Sequence, residues 1–264
     1  MNIQPTDYRR YPTTFLQNTV VSLYHPAFGQ SDAEEPAVVS DMNNFFSENF
    51  NLNFGLTGTN QTINLSSNEI DLSYMFTPDQ SMLKVGRKDY TVFKASVMPY
   101  FYKLKDYVYS VLRMQSVERM RIRKVNMFPV RIDVEQPTDE MWESVRRYLF
   151  NKELFELPLQ IGESLPVPEN AVGKFERRQI CNVETCFIIR TGITRMSSDS
   201  HGYNMVLDIS SSTPQGAAGL TEDQSERTIL QLNKHLFDLF NSVISDNLKH
   251  ILKTTPSTEE MAHV

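Results

Sequence analysis

The sequence predicts an α+β fold: antiparallel sheets in two similar halves, each packed by a helix, with a long C-terminal amphipathic helix. Three observations predict it. Short runs of alternating apolar residues, separated by turn residues, recur in both halves, as in an antiparallel meander with one buried face. Each meander leads into a segment of helical periodicity, so helices are expected on one face of the sheets. The chain then closes on a sustained apolar stripe with capping signals at both ends.

Taken in order, residues 15–24 read as a first strand rich in Val, Thr, Leu and Tyr. An acidic loop over 28–38 precedes a short helix over 39–50, with Met42, Phe45, Phe46 and Phe50 on its apolar side. Alternation follows at Leu52, Phe54 and Leu56, at Ile63 and Leu65, and at Ile70, Leu72, Tyr74 and Phe76. Leu83 and Val85 continue the meander, and residues 90–97 are expected to end it. Pro99 suits the first position of a helix carrying Phe101, Leu104, Val108, Val111 and Leu112. Residues 117–134 read as a long strand bearing arginines, and Thr138 caps a helix with Trp142, Val145 and Leu149.

The second half opens on a short strand at 154–157, ended by Pro158, which has no N–H for a ladder. A connector over 162–168 leads to strands at 174–183, 184–196 and 203–211. The closing helix spans 221–252. Thr221 followed by Gln224 forms a capping box. Ile229, Leu232, Leu236, Leu239, Phe240, Val243, Ile244, Leu248 and Ile251 recur in steps of three and four, which places them on one face. Residues 1–135 and 136–255 are therefore expected as two α+β halves, with a mobile tail at 256–264.

Bulk composition narrows the function by exclusion. The chain has 264 residues, 40% hydrophobic and 22% charged, enough for a sizeable core. A net charge of −6 gives no general signal for nucleic-acid binding, though a local basic patch could supply one. No run of apolar residues reaches a membrane span, and residues 1–19 have no apolar signal core, so a cytoplasmic location is expected. Cys181 and Cys186 lie five apart in an extended stretch, with side chains expected on opposite faces, reduced and structural. None of His25, His201, His235, His250 and His263 has metal-ligand spacing with another, and His235 reads as a packing or surface residue beside the apolar helix face. No phosphate loop, dinucleotide fingerprint or nucleophile elbow is present. No cofactor or metal is expected, and the balance leans away from an enzyme.

Three stretches together resemble a known family. They are Tyr11-Pro12 leading into Phe15-Leu16 and Thr19-Val20-Val21, the strand Arg121-Ile122-Arg123-Lys124-Val125-Asn126, and the ending with Phe240, Ile244, Ser245-Asp246 and Leu248. The chain is similar, over nearly its whole length, to a bacterial family of sporadically distributed, uncharacterised proteins. It departs at Lys124, where that family carries an aromatic residue. The resemblance implies no activity and no catalytic residue. Patchy occurrence implies transfer on mobile elements and a defence role.

Two candidate surfaces remain. Arg119, Arg121 and Arg123 alternate, so their guanidiniums project from one strand face, with Lys124 adding nearby charge. They could track phosphates, with Tyr100, Tyr102, Tyr107 and Tyr109 stacking on bases. Alternatively they pair with carboxylates on neighbouring strands, such as Glu184 or Asp208. Asn126 either lines a pocket or satisfies backbone groups at a bulge. Leu236, Leu239, Phe240 and Val243 offer an apolar face for the chain's own sheet or for a partner. Asp133 and Glu135 form a weak metal pair at a strand end. The leading expectation is a non-enzymatic interaction or scaffold component, a homo-oligomer or one binding a protein partner, with no membrane role. The alternatives are a nucleic-acid or nucleotide sensor and a hydrolase.

Overall fold

The computed structural model describes residues 14–27, 42, 44–48, 50, 52–59, 62–134, 137–160, 168–173, 175–197, 201–216 and 219–254. The acidic loop over 28–38, Glu135, the connector over 162–167 and the tail lie outside them. The fold is α+β, as the alternation predicts. Nine strands form one antiparallel sheet: β1 (Leu16–Tyr24), β2 (Phe54–Thr59), β3 (Thr62–Ser67), β4 (Leu72–Thr77), β5 (Gln80–Gly86), β6 (Arg119–Arg131), β7 (Glu176–Cys181), β8 (Cys186–Arg195) and β9 (Gly202–Ser212). Their spatial order is β2-β3-β4-β5-β1-β6-β9-β8-β7. Two meanders thus meet where β6 pairs with β9.

One row of register partners shows how the sheet's helix-covered face is buried. Leu65, Tyr74, Leu83, Val21, Ile122, Ser211 and Phe187 are consecutive cross-strand neighbours on adjacent strands. All seven are buried. The period of two along each strand sends the intervening residues to the other side.

The buried face is covered by α1 (Phe93–Ser96), α2 (Met98–Asp106), α3 (Asp139–Leu149), α4 (Lys152–Glu156), α5 (Glu222–Val243) and α6 (Asp246–Lys253). Trp142 of α3 meets Tyr203 of β9 edge-on at 4.9 Å, and Ser211 donates to the Leu232 carbonyl of α5. One hydrophobic cluster runs from Phe15 to Leu252, so the two meanders share a core.

The structure corrects four sequence expectations. Residues 90–97 are no strand: α1 begins at Phe93, and the Ser96 hydroxyl accepts the Thr91 N–H. Residues 154–156 belong to α4, which starts after Asn151 and is followed by Leu157; the Asn151 amide donates to the Ser242 carbonyl. The closing helix is two helices. The capping box at Thr221 is present, but Ile244 leaves the helix to form a bridge with Phe150. Ser245 then caps α6, accepting from Leu248 N–H at 3.1 Å. Finally, Cys181 and Cys186 are register partners across the β7–β8 turn, Cα atoms 4.1 Å apart, and form a disulfide. The turn at Asn182 reverses the chain, which places both side chains on the same face instead of opposite ones.

Candidate functional site

Strand β6 presents a different chemistry on each face, because basic residues occupy both parities of its sequence. Met120, Ile122, Lys124, Asn126, Phe128 and Val130 point toward the helices, while Arg119, Arg121 and Arg123 point away. Lys124 is therefore separated by the sheet from the arginines with which the sequence had grouped it.

On the helix side, Lys124 sits between Thr19 of β1 and Ile209 of β9. It faces a cavity of about 490 Å³. The walls come from the start of β1 (Phe15, Leu16), the segment before and within α1 (Tyr90, Phe93), and α5 (Leu236, Phe240). The shape follows from local sequence. The β1–β6 register shifts between Leu16 and Asn18, opposite Asn126, and this irregularity opens the sheet surface there. Asn126, buried at 7% exposure, lines the cavity beside that irregularity. Helix α5 spans the opening and turns its flank, with Leu230, Asn233 and Phe237, into the space.

The electrostatics of the cavity centre on Lys124. Its ammonium donates to Asn233 Oδ1 at 2.8 Å and to the Tyr90 hydroxyl at 3.4 Å. The Tyr90 and Phe93 rings lie 5.7 and 5.5 Å from Nζ. All these partners are neutral, and no carboxylate pairs with Lys124 among the described residues. Burial pushes its pKa down to about 8. At neutral pH the group is still mostly charged, a cation held against an apolar wall with no counter-ion among the described residues. Among the described residues that line this cavity there is no carboxylate, imidazole or thiol.

On the opposite face, Arg123 makes a two-pronged pair with Asp208 through Nε and Nη2, both at 2.8 Å. This is the cross-strand pairing the sequence offered for Asp208; Glu184 lies in the β7–β8 turn. Arg121 donates to Ser210 Oγ at 3.1 Å, and Arg119 stacks over Tyr24 at 3.9 Å. The four tyrosines proposed to stack with them lie on the helix side: Tyr107 and Tyr109 are buried, and Tyr102 donates to Glu226. The sheet separates them from the arginines.

The remaining residues have ordinary placements. Leu236, Leu239 and Val243 are fully buried against the chain's own sheet, and half-buried Phe240 lines the cavity. An association through α5 would need a different face of it. His235 Nδ1 lies 3.0 Å from Thr185 Oγ1. Asp133 accepts from Arg131, and among the described residues no cluster of three or more His, Cys, Asp or Glu could hold a metal. Among the described residues no helix is long and apolar enough to cross a membrane.

Sequence reasoning offered a pocket at Asn126 but did not place Lys124 in it; the signal was the occurrence of both residues at strand positions where the buried-face parity calls for apolar side chains. No protein-family model matches this chain, and no curated protein matches it either.

Proposed function

We propose that this protein binds a small amphiphilic anion, an apolar body ending in a carboxylate, between the sheet and α5. The observation that carries the reading is the buried Lys124 ammonium, which faces a largely apolar cavity with only neutral partners. A desolvated cation without a counter-ion is costly, and a ligand carboxylate would offset that cost through a charge-assisted hydrogen bond. The volume of about 490 Å³ falls in the range of small-molecule sites. Asn233 and Asn126 supply polar groups that orient the head group, while Phe93, Leu236 and Phe240 pack along the body. Such a binder can still belong to a bacterial defence system and associate with other proteins, with ligand occupancy as the signal.

Displacement of anilinonaphthalene sulfonate from the full chain by decanoate tests this. Decanoate should compete, and Lys124→Met should weaken it roughly ten- to a hundred-fold, the worth of a hydrogen bond to a charged group. Decanol should bind both proteins alike. Equal decanoate affinity in the variant, or no competition in the unaltered chain, overturns the proposal.

A further inference from the structure

The arginine face of the sheet carries a cationic cluster on the side opposite the cavity. Three cross-strand rows define it. Ser22, Arg121, Ser212 and Cys186 form one; Val20, Arg123, Ser210 and Ile188 the next; Asn18, Val125, Asp208 and Arg190 the third. Arg190 arrives from β8, and its Nη1 lies 3.9 Å from Asp208 Oδ2. Guanidiniums from two strands, β6 and β8, therefore converge over β9 on one buried carboxylate.

The charges do not balance. Among the described residues Arg121, Arg123 and Arg190 bring three positive charges, Arg177 of β7 stands beside them as the register partner of Arg190, and Asp208 returns one negative charge, so cations outnumber the carboxylate on this face. Asp208 is largely consumed by the two-pronged pair with Arg123. The buried Nε–H groups of Arg121 and Arg190 find no acceptor among the described residues. Burial and the like charges of Arg123, Arg121 and Arg177 depress the Arg190 pKa, against the pull of Asp208. Hydroxyls stand between the arginines at Ser22, Ser210 and Ser212, small donors of the kind that accompany guanidiniums around a phosphate.

We propose that this face binds a small molecule through a phosphate monoester group, gripped by Arg121 and Arg190 with Arg123 held in place by Asp208. A monoester is dianionic near neutral pH, which suits a face where cations outnumber carboxylates, and its three oxygens supply acceptors for the orphan Nε–H groups. A phosphodiester backbone carries one charge per group, and a compact cluster reached from two strands suits a single head group better than a track. Arg119 is held away by Tyr24, so the three arginines of β6 do not form a continuous ladder.

Calorimetric titration of the full chain with phenyl phosphate is the test. We expect saturable binding, weakened at least tenfold by Arg121→Gln and by Arg190→Gln, and unchanged in Lys124→Met. Both glutamine variants should melt no lower than the unaltered chain, since each removes a repelled guanidinium; this separates lost binding from lost folding. No binding of phenyl phosphate, or binding indifferent to both glutamine variants, overturns the proposal. Tight, salt-sensitive binding of oligothymidylate with no response to phenyl phosphate also overturns it and assigns the face to a nucleic-acid backbone.

Discussion

At the scale of single residues, Lys124 is the group whose energetics are most exposed to experiment. Its folded pKa of about 8 lies below the unfolded value of 10.5. Between those values the unfolded chain binds more protons than the native one, so stability rises with pH across that window. Below about 8 the lysine is charged in both states and the full cost of its burial is present. A depression of this size corresponds to about 3 kcal/mol. Lys124→Met is therefore expected to raise stability at pH 7 by up to about 3 kcal/mol. It should also abolish the alkaline gain, as urea melts from neutral to alkaline pH would show. A variant with the same alkaline rise as the parent would place the titration elsewhere. The proposed ligand has the opposite dependence: a carboxylate gains most while Lys124 is protonated, so affinity should fall as pH rises through about 8. The residue that departs from the apolar pattern thus links function to stability, a site held at some expense to the fold.

At the scale of elements, α5 and β6 carry both proposals, and each does so through one periodicity. In α5 the step of three and four sends Leu232, Leu236, Leu239 and Val243 into the core, while Leu230, Phe237 and Phe240 fall on the flank that lines the cavity. Leu239→Asp should accordingly unfold the chain, because a carboxylate without a partner in a dry core costs more than ~4 kcal/mol. Circular dichroism would show the loss. A folded Leu239→Asp protein with a changed native mass would instead put that residue at an interface. The break between α5 and α6 shows how weakly periodicity defines a helix end. Ile244 and Leu248 keep the apolar step, so the stripe reads through the break, yet Ser245-Asp246 is a capping signal in the middle of it. Ser245→Ala should lower stability by about 1 kcal/mol, the usual value of an N-cap. The cysteines make a similar point. Spacing alone set them on opposite faces, but the Asn182 turn makes them directly opposed partners, where a disulfide closes naturally.

At the scale of the molecule, the sheet is the unit that positions both sites. The two meanders would each be an open sheet with an unpaired edge; pairing β6 with β9 removes both edges and lets α5 lie across the seam. The cavity needs β1 and β6 from one half and α5 and α6 from the other. The arginine cluster likewise joins β6 to β8 and β9. Residues 1–135 expressed alone would expose the Ile122 and Phe128 face and lose Asp208 from Arg123. They should show no cooperative thermal transition, whereas a sharp melt would mean that the first half folds by itself.

Much of this was legible in the chain. Strand patterning placed all nine strands in outline, together with two stretches, 90–97 and 154–157, that the structure makes helical or loop, because burial of one face imposes a period of two on any strand that supplies it. The same parity put Arg119, Arg121 and Arg123 on one face and named Asp208 as a partner. What the sequence could not contain was which strands lie side by side. Lys124 looked like an extra basic residue until β6 was placed between β1 and β9 under α5, and Arg190 looked unremarkable until β8 brought it to Asp208. Periodicity is local and is recorded residue by residue; a cavity and a charge cluster are made from distant segments, and only the pairing of β6 with β9 decided that those segments meet.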